Sequence, residues 1–162
     1  MKRKYLILFS LSGLILAIDQ LSKQLMLLNL PLDRGLDVIP SFFTLQLSRN
    51  NGFAFGLLQR APASLQEVFF IGVPVFALVL IVLIFIKLQD NQMLTSIALT
   101  TILGGAVGNL IDRLQYGYVL DFMEVHIRGG FHFPAFNIAD CSIIIGVALM
   151  FLNTLRQERA AI

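Results

Sequence analysis

Apolar positions fall into four long runs, separated by two mixed segments and one short polar turn. Tyr5–Ile18 is apolar apart from Ser10, Ser12 and Gly13, and the run resumes at Leu25–Leu28 after Asp19-Gln20-Leu21-Ser22-Lys23. A helix crossing a hydrocarbon core about 30 Å thick needs about 20 residues. The first span, taken as 5–28, therefore has to carry Asp19 and Lys23. Val68–Ile86 contains no charge and predicts a second span over 68–88, with a kink expected at Pro74. After the turn Lys87–Gln92, Met93–Ile111 predicts a third span over 93–113. The last uncharged run, Cys141–Leu155, has only 15 residues, so the fourth span is set at 135–155 and draws Asp140 into its first turns.

The mixed segments carry a different period. Phe43, Leu45 and Leu47 alternate with Thr44, Gln46 and Ser48, as in a half-wet strand. Asn50-Asn51-Gly52 signals a turn and Phe53, Phe55 and Leu57 alternate beyond it, so a hairpin with one greasy face is expected. In the second segment Met123, Val125 and Ile127 alternate with Glu124, His126 and Arg128, and Gly129-Gly130 turns the chain into Phe131-His132-Phe133. A two-residue turn there would oppose His126 to Phe133 and His132 to Ile127, placing the two histidines on opposite faces and arguing against a metal site. The expected fold class is an all-α membrane protein, one integral domain over 1–162, with four transmembrane helices and a small outward-facing β-hairpin element.

Composition agrees with that pattern. Hydrophobic residues make up 57%, mean hydropathy is +0.80, and 14% of residues are charged, against about 25% in soluble domains. A net charge of +2 argues against a nucleic-acid partner. Cys141 is alone, which excludes an intrachain disulfide and a cysteine metal cage. It follows Asp140 with no histidine base beside it, so it reads as a small buried residue. Lys2-Arg3-Lys4 before the first run resembles the start of a signal peptide, but no small-residue cleavage site follows, so the run is read as a retained span.

Basic residues set the expected orientation. The termini and the 87–92 turn, 17 residues together, carry Lys2, Arg3, Lys4, Lys87, Arg156 and Arg159. The long loops, 62 residues, carry only Arg34, Arg49, Arg60, Arg113 and Arg128. Both termini are therefore expected in the cytoplasm and both loops outside. That arrangement brings Asp19 and Lys23, Asn109 to Arg113, and Asn137 and Asp140 into one outer leaflet.

Polar groups in so apolar a setting are costly and mark function. Three Asp and two Asn fall within the 32 residues from Asn109 to Asp140. Asn109, Asp112 and Arg113 share one helix face. Asp19 and Lys23 stand at i and i+4, acid first, either as a structural clamp or as supports of a site. Asn50 is open between turn chemistry and a site role. Asp121 and Asp140 enter from opposite ends of the second hairpin. They either serve structure, capping helices or pairing with Arg113, or share one proton as an acid–base pair.

These stretches resemble lipoprotein signal peptidase, the signal peptidase II family of bacterial membrane aspartyl proteases. D-Q-L-S-K at 19–23, R-N-N-G-F-A-F at 49–55, G-G-A-V-G-N-L-I-D-R at 104–113, V-L-D-F at 119–122 and F-N-I-A-D at 136–140 are similar to its motifs, in order and at the ends of the expected spans. The resemblance implies an endopeptidase that removes signal peptides from prolipoproteins, cutting before a diacylglyceryl-modified Cys. It puts Asp121 and Asp140 on the catalytic pair. Asn50, Asn109, Arg113 and Asn137 fall on positions lining the site, with Asp19, Lys23 and Asp112 as polar supports. It implies no cofactor or metal, membrane lipids and diacylglyceryl-modified prolipoproteins as partners, a monomer, and a multi-pass place in the bacterial inner membrane. Phe53 departs from the family, which more often has a small residue there.

Two rivals come from other chemistry. An ion- or proton-coupled transporter would need polar groups nearer the midplane, whereas these gather at one end and the second span is uncharged. A Ser22/Lys23 protease is disfavoured because adjacent helical residues do not face each other. The orientation is directly testable. In a Cys141→Ser background, cysteines placed at Gln59 and Gly129 should react with an impermeant thiol reagent in cells whose outer membrane alone is permeabilised. Reaction only after the inner membrane is breached would invert the topology.

Overall fold

The computed structural model describes residues 2–31, 34–52, 62, 65–66, 68–127 and 131–160. Among these residues, four helices are long and apolar enough to cross a membrane. Helix α1 is Arg3–Asn29. Helix α2 is Val73–Lys87, preceded without a break by a π-helical turn, Val68–Gly72. Helix α3 is Met93–Tyr116 and α4 is Ile138–Ala160. Strands β1 (Leu36–Ile39), β2 (Phe43–Asn50), β3 (Val119–Ile127) and β4 (Phe131–Phe136) form one antiparallel sheet in the order β1-β2-β3-β4.

Helix α3 is central, because α1, α2 and α4 all pack on it. Its buried face is built mainly of small and polar residues, Ser96, Ala98, Thr100, Thr101, Gly104, Gly105, Gly108, Asn109 and Asp112, with Leu99 the one large apolar side chain among them. Small residues let backbones approach closely where packing rather than water drives helix association. The large apolar side chains point the other way. Phe9, Leu14, Leu21, Leu25 and Leu28 of α1, Phe76 and Leu83 of α2, and Ile144, Val147 and Phe151 of α4 are all exposed, as lipid-facing surface requires. Gly104 and Gly108, spaced four apart on one face of α3, let α1 approach, at Ile15 and Ser12 for Gly104 and at Asp19 for Gly108. Gly105, which the spacing did not single out, gives α4 its approach at Ala139.

Pro74 stands at the start of α2 and has no N–H for a bond back to the preceding turn. A wider π-helical turn, Val68–Gly72, leads directly into it. The fourth helix begins later than the expected 135. Residues Phe131–Phe136 remain in β4, and Asn137 is the cap that starts α4 at Ile138. Asn137 Oδ1 accepts the Asp140 N–H at 2.9 Å while Asp140 Oδ2 accepts the Asn137 N–H at 3.2 Å, a reciprocal capping box.

The small β-element is larger than a hairpin. The alternation at 43–48 does form a strand, but its recorded partners are β1 and the distant β3, while Phe53, Phe55 and Leu57 lie outside the described residues. Strands β3 and β4 pair as expected, with a different register. His126 opposes His132 and Ile127 opposes Phe131. Register partners occupy one face of a sheet, so positions 126 and 132 share a face rather than lying on opposite ones.

A bulge matters more. The β2–β3 register shifts by one residue between Leu45 and Ser48, so that Asn50 opposes Val119 and Ser48 opposes Asp121. Without that extra residue Asn50 would oppose Tyr118 and turn to the other face. With it, Asn50 and Asp121 share a face as diagonal neighbours.

Gly108 offers a test of the packing. A Cβ there would stand 2.6 Å from Asp19 Oδ2, whereas one at Gly13 meets nothing within 4 Å. Gly108→Ala should lower stability by about 1–3 kcal/mol through overpacking, read as a fall in thermal midpoint in detergent. Gly13→Ala should leave the midpoint unchanged or raise it by removing a helical glycine. Equal midpoints for both variants would refute the close approach.

Candidate active site

The polar residues converge where α1, α3, β3 and the start of α4 meet. Lys23 lies at the centre and is buried. Its Nζ is 2.8 Å from Asp19 Oδ2, 2.7 Å from Asp112 Oδ2 and 3.1 Å from Asn109 Oδ1. Asp19 and Lys23 are one helical turn apart on α1, and Asn109 and Asp112 one turn apart on α3, so two helix faces close around one ammonium.

The two carboxylates reach further. Asp19 Oδ1 accepts the Ala139 N–H at 2.9 Å, satisfying a free donor in the first turn of α4. Asp112 Oδ2 accepts the Leu120 N–H at 3.1 Å. Gly117 ends α3 in a left-handed conformation (φ 75°), with its N–H on Arg113 O, and so turns the chain toward β3. Each acid of the α1–α3 core thus holds a backbone group one residue before a second acid: Leu120 precedes Asp121, and Ala139 precedes Asp140.

Those second acids are held by amides. Asp121 Oδ1 accepts from Asn137 Nδ2 at 2.7 Å, and Oδ2 from Asn50 Nδ2 at 2.9 Å. Asp140 Oδ1 accepts from Asn109 Nδ2 at 2.8 Å, and Oδ2 from the Asn137 main chain. All four carboxyl oxygens therefore have one N–H donor each, from three asparagines. Asn137 serves both acids and also gives Nδ2 to Asn109 Oδ1 at 3.1 Å and to Leu120 O at 3.3 Å. Asn50 has a turn role as well, since its Oδ1 accepts the Gly52 N–H at 2.9 Å.

Arg113 lies at the rim. Its Nη1 donates to Asn109 O at 3.0 Å, its guanidinium stacks over the Phe70 ring at 5.1 Å, and its buried Nε has no hydrogen-bond partner among the described residues. Phe70 belongs to the π-helical turn before α2.

The site residues expected from the sequence, Asp19, Lys23, Asn50, Asn109, Asp112, Arg113, Asp121, Asn137 and Asp140, all fall in this one network. Ser22 does not join it, because its hydroxyl donates back to Asp19 O at 2.7 Å, which leaves nothing to recommend the Ser22/Lys23 pairing. Gln20 was missed. Its Nε2 lies 2.9 Å from Asp112 Oδ1 and 3.2 Å from both Gly108 O and Asp19 Oδ2, bridging α1 to α3. Its signal was available, since Gln20 and Lys23 stand at i and i+3 on one face. Phe70 carried no signal, being one apolar residue in an apolar run.

The electrostatics suit acid–base work. Burial pushes the Asp121 carboxyl up to about 6 from an ordinary 3.8. The Asn50 hydrogen bond opposes that rise, the Asp140 charge adds to it, and Asn137 and Lys23 oppose it. Because folding raises this value, the contribution of Asp121 to stability is fullest below its ordinary range and is lost as pH rises through about 6.

A family model described as signal peptidase (SPase) II matches residues 11–156. The lipoprotein signal peptidase of Geobacter metallireducens is 41% identical over 159 residues, 98% of this chain and 96% of its own. That of Syntrophus aciditrophicus is 40% identical over 158 residues, 97% and 98% of the two chains. A solved bacterial membrane enzyme superposes with a TM-score of 0.79 at 32% identity, covering 96% of this chain and 88% of its own.

Removing the donor that holds the Asp121 carboxylate should favour its protonated form. Asn50→Ala should move the Asp121 titration upward from about 6. The protonated-carboxyl stretch in infrared difference spectra, assigned by its loss in Asp121→Asn, reads this directly. A downward shift, or none, would separate Asn50 from that carboxyl.

Proposed function

The chain belongs to the signal peptidase II family and removes signal peptides from prolipoproteins as an aspartyl-type hydrolase; from that premise we propose that Asp121 and Asp140 are its catalytic dyad. The observation that carries this reading is their common tether, since Asn137 binds one acid through its side chain and the other through its main chain. Two carboxyls so placed share a proton, one ionised and one neutral. The ionised acid takes a proton from water as the water oxygen bonds to the peptide carbonyl carbon. The neutral acid gives its proton to the carbonyl oxygen. When the tetrahedral diol collapses, the C–N bond breaks, the leaving nitrogen takes the proton held by the first acid, and a diol hydroxyl gives its proton back to the second, so the dyad regains its single shared proton.

Asn50, Asn109 and Asn137 orient the two carboxyls without adding charge. Arg113 offers Nε to a substrate carbonyl, and Asp19, Lys23 and Asp112 support the dyad from behind. The substrate is a prolipoprotein cut before a diacylglyceryl-modified Cys, and a monomer among membrane lipids suffices. Termini in the cytoplasm and a site at the outer leaflet follow from the distribution of basic residues. A lipid-anchored substrate would then present its cleavage site at the depth of the dyad.

Asp121→Asn and Asp140→Asn should each lower cleavage of a diacylglyceryl-modified prolipoprotein by roughly 100- to 10,000-fold, the range for a missing acid–base group. A gel-shift assay on purified protein reads the product, and the inactive variants should still bind substrate. Serine-directed reagents should have no effect. Cleavage by either variant above about a tenth of the parent rate would sink the dyad and leave family membership intact.

A further inference from the structure

The β2–β3 pair has a second face. Arg49 and Leu120 are register partners, one residue along from Asn50 and Asp121, so they lie on the face turned away from the dyad. A cleft of about 370 Å³ opens there, lined by Leu27, Leu47, Arg49, Tyr118 and Leu120. Leu27 is in the last turn of α1 and Tyr118 lies two residues past the end of α3. Two membrane-crossing helices end here, which puts the cleft at headgroup depth whichever way the chain faces.

Its lining is amphipathic in a particular way. Leu120 is buried, and with Leu27 and Leu47 it makes an apolar floor. Among the described residues Arg49 is the single charge in the lining, exposed and stacked over Tyr118 at 5.1 Å. Tyr118 stacks in turn on Tyr116, centroids 5.8 Å apart, a pair of the kind that gathers at membrane–water interfaces. Among the described residues no carboxylate lies within ion-pair distance of Arg49. A guanidinium held flat by an aromatic ring and lacking an acidic partner is suited to a phosphate diester. The leucines beside it suit the upper methylenes of an acyl chain.

We propose that this cleft binds a membrane phospholipid, its phosphate on Arg49 and an acyl chain over Leu27, Leu47 and Leu120. The lipid would brace the back of the strand pair whose front carries Asn50 and Asp121. This is a binding site separate from the dyad, and its primary readout does not depend on cleavage.

The test uses the full chain purified in a maltoside detergent, with phosphatidylglycerol as the probe. Native mass spectrometry and phosphorus analysis should find lipid retained by the parent. Arg49→Gln should bind it roughly tenfold more weakly or worse, as expected for a lost charge-assisted hydrogen bond. Leu47→Trp, which fills the cleft and keeps the guanidinium, should also expel the lipid. Both variants should keep the parent's elution volume and helical circular dichroism. Binding equal to the parent in both would overturn the proposal. Displacement by millimolar inorganic phosphate would make it a free-phosphate site and overturn it too. If Arg49→Gln keeps the lipid but raises KM for the diacylglyceryl substrate, the cleft takes the substrate's own lipid, and the proposal fails.

Discussion

A single buried ammonium holds this molecule's polar centre together. Lys23 is enclosed by Asp19 and Asp112, and all three are nearly inaccessible. Taking three charges out of water is costly, and only close geometry with further hydrogen bonds offsets it. Both conditions are met here. The carboxylate oxygens are also used on Gln20, on the Ala139 N–H and on the Leu120 N–H. Removing Lys23 would leave two unpaired buried carboxylates, a defect of about 3–5 kcal/mol in comparable pairs. The damage would not stay local. It would loosen α1 from α3, the start of β3 and the first turn of α4, where the proposed dyad is mounted.

The division between charged and neutral partners has a chemical sense. Lys23, the buried cation of this cluster, contacts the supporting acids and Asn109, and among the described residues its hydrogen bonds reach the proposed dyad only through Asn109. The dyad's own hydrogen bonds come from neutral amides. An ammonium in direct contact would favour ionisation of both carboxyls and leave no proton to donate. Amides fix orientation more gently, so burial can still lift Asp121 to about 6. Charge supplies the frame, and neutral donors leave the chemistry adjustable.

How far the sequence could be read follows from how local each signal is. Asp19, Lys23, Asn109 and Asp112 were legible because helical spacing and the cost of polarity in an apolar run both point to them. The strand at Phe43–Asn50 showed in its alternation. Strand β1, Leu-Asp-Val-Ile, has no clear alternation and is exposed along its length, so nothing local announced it. The pairing of β2 with β3 joins segments about 70 residues apart, and the bulge that turns Asn50 toward Asp121 has no sequence mark. The partners at Ala139 and Leu120 are main-chain groups, invisible in side-chain chemistry. The later start of α4 was readable in principle, since Asn137 and Asp140 have capping-box spacing. A length argument for the span overrode it.

Exposure around the cluster indicates how a peptide would reach it. Asp121 and Asn137 are almost wholly buried, and so are Asp19, Lys23 and Asp112. Asp140 and Arg113 are partly open and Asn50 is exposed. Among the described residues, the open side of the cluster is bounded by Asn50 at the end of β2, by Arg113, whose Nε has no hydrogen-bond partner there, and by Phe70 stacked on Arg113. Phe70 sits in the π-helical turn at the start of α2, the helix whose apolar side chains are almost all exposed. This rim is made from a strand end and a π-helical turn, with the ion-paired centre behind it. The ion-paired centre holds the acids from behind, and the proposed approach of the substrate lies along this rim.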